Sequence, residues 1–132
     1  MALRLLIVDD DPQICDFLRD IALGVGYEVV TAHRADDFKV AFKAAPADVI
    51  LLDLTLPGTD GIELLNYMAE MKTKARILII SGYDEGIRRM AHTIGQARGL
   101  DMAGVLAKPL RVAELRRLLT EFKRAAEAPR RP

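Results

Sequence analysis

The chain has 132 residues, room for one compact domain and no second one of ordinary size. Apolar side chains make up 51% and charged ones 29%, with 19 Lys/Arg balancing 19 Asp/Glu, so most of the length can bury a core and disorder is excluded. No apolar stretch approaches the ~18 residues of a membrane span, and "MALRLLIVDDD" reaches three acids too early for a signal peptide, so a soluble cytoplasmic protein is expected, without membrane contact.

Leu3–Val8 is a short, nearly continuous apolar run, the pattern of a strand buried on both faces, stopped by Asp9, Asp10 and Asp11. Asp11 can cap a helix whose first turn holds Pro12 and whose apolar face is Ile14, Phe17, Leu18, Ile21 and Ala22, ended by Gly24 and Gly26. Tyr27–Ala32 reads as a second strand, and Ala35, Phe38, Ala41, Phe42 and Ala45 as a helix that Pro46 terminates. Asp48–Leu52 is a third buried strand ending at Asp53, followed by a Pro57-Gly58 turn and a helix turning Ile62, Leu65 and Met68 inward. Ala75–Ile80 is a fourth strand ending at Ser81-Gly82, before a helix with Ile87, Met90, Ala91 and Ile94, its end blurred by Gly95 and Gly99. Ala103–Ala107 is a short fifth strand leading into Lys108-Pro109 and a last helix with Val112, Leu115, Leu118, Leu119 and Phe122 on one face. Residues 1–123 are therefore expected to form the domain and 124–132 a flexible tail or the start of a linker.

Five strand-then-helix units require right-handed crossovers, hence a parallel sheet with helices on both faces. In such sheets ligands bind outside the carboxyl ends of the strands. Asp9 and Asp10 after the first strand, Asp53 after the third, Ser81 after the fourth and Lys108 after the fifth all fall at that rim. Three carboxylates crowded together repel unless some protonate or a cation joins them, and oxygen donors favour magnesium or manganese. Magnesium takes one or two protein carboxylates and completes its octahedron with water and phosphate oxygens. Lys108 and Ser81 suit the peripheral oxygens of a phosphoryl group in transfer, which leaves Asp53 as nucleophile.

Four segments, "LLIVDDDP" at Leu5–Pro12, "DVILLDLTLPGTDGIELL" at Asp48–Leu65, "ILIISGYD" at Ile77–Asp84 and "GVLAKPL" at Gly104–Leu110, resemble the receiver domain of two-component response regulators. The resemblance covers about residues 3–123 and implies a flavodoxin-like, doubly wound sheet of strand order 2-1-3-4-5. It implies that Asp53 accepts a phosphoryl group from the phosphohistidine of a histidine kinase or phosphotransfer protein. It also implies that Asp10, Asp53 and the backbone carbonyl of Thr55 bind Mg2+ directly, with Asp9 acting through a water. Ser81 and Lys108 would contact the new phosphoryl group, and the Lys108-Pro109 bond would be cis. The surface of the fourth helix, fifth strand and fifth helix would carry the output and serve as a candidate homodimer face. On this reading the chain is a signalling phosphoacceptor and no enzyme, apart from catalysing its own modification.

Two features depart from the family pattern. Val105 stands where receivers usually carry a Tyr or Phe, so an aromatic switch cannot operate there, and Tyr83 is a candidate substitute or a shield of the acyl phosphate. Ser81 and Lys108 are 27 residues apart, longer than usual, and the excess around "HTIGQARGLDMAG" is expected in the fourth helix or the loop after it. That stretch looks like receivers joined to cyclic-di-GMP phosphodiesterase domains of the EAL type.

Two rivals stay open. A pseudo-receiver would bind partners without being phosphorylated. An aspartate-nucleophile phosphatase of the haloacid dehalogenase type would use similar groups, but its nucleophile should follow the first strand in a D-x-D pattern, where this chain has "VDDDP". No glycine-rich nucleotide fingerprint follows a strand, and no separate recognition module remains for direct nucleic-acid binding. The charges are unevenly spread: residues 1–70 hold 13 acids against 5 bases, and residues 108–132 hold 3 against 8. A solvated surface accounts for this. His33 and His92 lack a neighbouring second ligand in sequence, and the lone Cys15, which can form no internal disulfide, reads as packing beside the first helix.

Overall fold

The structure, a computed structural model, describes residues 2–54, 61–82 and 85–127. Five strands, β1 (Arg4–Val8), β2 (Glu28–Ala32), β3 (Val49–Asp53), β4 (Arg76–Ser81) and β5 (Asp101–Ala107), alternate with five helices. These are α1 (Pro12–Val25), α2 (Ala35–Ala44), α3 (Gly61–Glu70), α4 (Glu85–Ala97) and α5 (Val112–Glu127). The strands form one parallel sheet in the order β2-β1-β3-β4-β5, the doubly wound architecture expected from the alternation.

The near-continuous apolar strands divide residue by residue between two cores. Leu6, Val8, Ile50, Leu52, Ile77 and Ile79 meet Phe38 of α2, Leu64, Leu65 and Met68 of α3, and Ala91 of α4. Leu5, Ile7, Val49, Leu51, Leu78 and Ile80 meet Cys15, Leu18 and Ile21 of α1 and Leu115, Leu119 and Phe122 of α5. Because side chains alternate faces along a strand, burying both faces calls for apolar residues at every position. The ends of α1 follow local chemistry. Asp11 accepts the Gln13 N–H at 2.9 Å as N-cap, Pro12 occupies the first turn, and Gly26 closes the helix at φ 108°.

Two expectations need correction. The extra length between Ser81 and Lys108 is not confined to α4 and its loop. β5 starts at Asp101, two residues before the expected Ala103, and contains a bulge. Ile77 pairs with Met102 but Leu78 pairs with Gly104, leaving Ala103 as the extra residue, and Gly104 takes φ 150°, a conformation L side chains rarely adopt. The bulge resets the alternation, so that Met102 and Val105 both face the α2–α4 side. Gly95 does not end α4 but lies buried within it, against Met102 of β5; a Cβ there would collide with the Met102 sulfur. The second correction concerns the tail: α5 continues to Glu127, so residues 124–127 are helical, with Lys123 and Glu127 paired one turn apart at 3.9 Å. Among the described residues, no helix is long and apolar enough to cross a membrane.

Candidate phosphoryl-transfer site

The strands deliver their polar residues to one rim. Asp9 directly follows β1, Asp53 ends β3, Ser81 ends β4 and Lys108 follows β5. Asp9 is 1% exposed, Asp53 2% and Ser81 0%, all buried among apolar neighbours where an ionised group needs a partner. Asp10, one residue on, is exposed. One carboxylate oxygen from each of Asp9, Asp10 and Asp53 lies within 4.8 Å of the others, so the two stretches of chain do converge on one acidic cluster.

Lys108 closes the cluster. Its Nζ lies 3.1 Å from Asp9 Oδ2 and 3.3 Å from Asp53 Oδ2, donating a hydrogen bond to the latter. Asp9 Oδ2 is buried and has the ammonium as a charge partner but no directed hydrogen bond. Burial of the ammonium alone would lower its pKa. The contact with Asp9 and the charges of Asp53 and Asp9 outweigh burial and raise it above the usual lysine value. Lys108 is also held by its main chain, because its N–H donates to the Ser81 carbonyl at 2.9 Å, and the Lys108-Pro109 bond is cis.

The donor set fits Mg2+. Oxygens bound about 2.1 Å from one ion stand roughly 3–4 Å apart, and the three carboxylate oxygens here, all within 4.8 Å of one another, are close enough to turn to one cation; a buried carboxylate oxygen lacking a hydrogen bond has capacity to spare. Hard oxygen donors with no sulfur or imidazole among them match that ion's chemistry.

Thr55 and Tyr83 lie outside the described residues. Val105 is half-buried on the α2–α4 side and lines a groove of about 370 Å3 between α4 and β5, with Arg88, Arg89 and His92 on its wall. A larger cleft, about 780 Å3, opens at the opposite ends of the strands, where α2, α3 and α5 finish. Its Lys43, Lys72 and Lys74 stand where helix carboxyl ends concentrate partial negative charge, which explains their presence without a ligand.

One contact has no counterpart in the sequence reading. The thiol of Cys15, fully buried, donates to the main-chain carbonyl of Asp9 at 3.3 Å. Burial, followed by the Asp9 charge, pushes its pKa up to about 12, so it remains an S–H donor. Its spacing on the apolar face of α1 predicts burial, and no local pattern signals a bond six residues back.

Residues 5–120 match the response regulator receiver domain family. The chain belongs to that family. It is 32% identical over 120 residues to the transcriptional regulatory protein AruR of Pseudomonas aeruginosa, an alignment covering 87% of this chain and 47% of that protein. The receiver thus spans about half the length of such curated relatives. Among solved structures, a response regulator from Colwellia psychrerythraea superposes with a TM-score of 0.81 at 31% identity, covering 95% of this chain and 99% of that one. A Burkholderia pseudomallei response regulator solved with a phosphorylated aspartic acid, calcium ion and citrate superposes with a TM-score of 0.74 at 26% identity, covering 96% and 73%. Receiver domains of this family are signalling domains of two-component systems, which interact with histidine kinases or phosphotransfer proteins.

Proposed function

We propose that this receiver is a working cytoplasmic phosphoacceptor in which Asp53 takes a phosphoryl group from the phosphohistidine of a histidine kinase or phosphotransfer protein. An Asp53 carboxylate oxygen attacks phosphorus in line. As the new P–O bond forms, the P–N bond to imidazole breaks and the ring nitrogen keeps the electron pair. Lys108 supplies positive charge for the phosphoryl oxygens, and Ser81 a hydroxyl donor. Asp10, Asp53 and the Thr55 carbonyl would hold Mg2+ directly and Asp9 would act through a water. When bound, the ion supplies charge neutralisation and alignment of the incoming group.

The observation that carries this reading is the simultaneous contact of Lys108 Nζ with two buried carboxylates from different strands. Once Asp53 is phosphorylated, the charge it offered Lys108 moves to the phosphoryl oxygens, and Lys108 and Ser81 can follow it. That shift would bias the surface of α4, β5 and α5, the proposed output and homodimer face. With Val105 in place of an aromatic side chain, the bias would pass through loop and helix movement, with Tyr83 as a candidate contributor. Domain bounds of 1–123 would extend to the end of α5. The stretch from His92 to Leu110 supports a relationship to receivers of cyclic-di-GMP phosphodiesterase regulators.

The test is incubation with Mg2+ and acetyl phosphate, followed by mass spectrometry of the peptides. Phosphate on Asp53, lost in Asp53→Asn, is expected. An unmodified protein would mean a pseudo-receiver, and turnover of unrelated phosphomonoesters would mean a phosphatase.

A further inference from the structure

We infer that Cys15 is a positioning residue for the acidic cluster: by holding the main-chain carbonyl of Asp9, its thiol fixes the peptide plane from which the Asp10 carboxylate is carried. The peptide unit is planar, so the direction of the Asp9 carbonyl also sets the Asp10 N–H and Cα. Each other polar atom of Asp9 already faces a partner, Oδ2 through charge alone. Its N–H donates to the Ala32 carbonyl at the end of β2 at 3.1 Å, Oδ1 accepts the Asp11 N–H at 3.0 Å, and Oδ2 faces Lys108. The carbonyl is held by Cys15 at 3.3 Å, and with Asp9 only 1% exposed, bulk water has little access to replace that donor.

Asp10 needs such help more than its neighbours do. Its carboxylate makes no hydrogen bond or ion pair among the described residues, whereas Asp9 and Asp53 are both tied to Lys108. The backbone therefore places this ligand, and Cys15 fixes the backbone. The thiol reaches Asp9 because α1 starts immediately after the acidic turn, with the Cys15 N–H donating to the Asp11 carbonyl at 3.0 Å and the side chain turned toward the sheet.

This inference rests on the Mg2+ reading of the site, and the test separates the two. Mg2+ is titrated into the full chain and its Cys15→Ala, Cys15→Val and Cys15→Ser variants, followed by calorimetry and by amide NMR. Outer-shell partners of metal ligands commonly contribute 10–100-fold to affinity, so Ala and Val should weaken Mg2+ binding about tenfold, while Ser, which keeps a donor, stays within about twofold. Before any metal is added, the Asp10 amide resonance should move in Ala and Val and stay near its place in Ser. Val, which fills the space of the thiol without offering a donor, decides the matter if the Ala cavity prevents folding. Folded Val protein that binds Mg2+ like the parent, or Ser protein as impaired as Val, overturns the role of Cys15 alone. Parent protein that binds no Mg2+ overturns the cation site and this role with it.

Discussion

Replacing Lys108 with methionine removes the ammonium from between Asp9 and Asp53 while keeping an unbranched side chain of similar length. At an effective dielectric near 20, a unit charge 3.1–3.3 Å from each carboxylate gains about 5 kcal/mol per pair before desolvation. Burying the three charges takes back several kcal/mol per ion, so only part of that gross attraction survives. The Lys108→Met protein nevertheless keeps two almost fully buried carboxylates facing one another without their ammonium counterion, and breaking such an arrangement costs roughly 3–5 kcal/mol. Because the Lys108 side chain retains 24% of its exposure, the lower end, about 3 kcal/mol, applies. Urea unfolding at pH 7 in the presence of a chelator measures it. With an m-value near 2 kcal/mol per molar, the midpoint should fall by about 1.5 M. The pH dependence has a definite sign. The folded-state pKa of Lys108 is raised, so its contribution is complete below the unfolded lysine value near 10.4 and disappears only as pH rises through the higher folded value. The difference between the two proteins should stay constant from about pH 7 to 9.5 and close only in more alkaline solution. A variant as stable as the parent at pH 7, or a gap that closes between pH 7 and 9, refutes the claim that Lys108 is the counterion of this cluster.

Gly95→Ala should destabilise the protein by about 1–2 kcal/mol in thermal or urea unfolding, because the new methyl overpacks against Met102 while helix propensity returns part of the cost. Adding Met102→Ala should make the Gly95→Ala change far milder, and a Gly95→Ala protein more stable than the parent would contradict the close approach of α4 to β5. Ser81→Ala should still be phosphorylated by acetyl phosphate but show smaller phosphorylation-induced amide shifts in α4 and β5, since the mark biases the surface only through contacts that differ between states. Equal shifts in both proteins would remove Ser81 from the switch. Tyr83→Ala should accelerate decay of phospho-Asp53, followed by mass spectrometry, and an unchanged decay rate would deny that side chain a shielding role.

The strands were legible because both faces are buried: runs such as Leu5–Val8 and Val49–Leu52 have no competing helical reading once turn residues bound them. Their ends were legible for the same reason, since Asp9, Asp53 and Ser81 are the first polar residues after unbroken apolar runs. Composition alone did not distinguish the three consecutive acids. Asp9 is buried, Asp10 is exposed beside the cluster, and Asp11 spends its carboxylate on the Gln13 N–H as a helix cap. β5 was harder, because "DMAG" is too polar and small to read as strand. Its start pairs with Arg76 and Ile77 of β4, with Arg76 reaching Asp101 at 3.4 Å and Met102 lodging against Gly95, contacts that no local pattern announces. Gly95 likewise looks like a helix stop by propensity, whereas a neighbouring strand needs the space that a side chain would fill.

The bulge at Ala103 has a consequence for how connector length and chemistry are separated. β5 is the outermost strand, so the supernumerary residue interrupts one ladder and leaves the central strands undisturbed. Beyond it, Gly104 to Ala107 are locked rung by rung to Leu78 through Ser81. A lengthened or shortened linker after α4 would be accommodated upstream of that lock, and the lysine at its far end would keep its bearing on the aspartates.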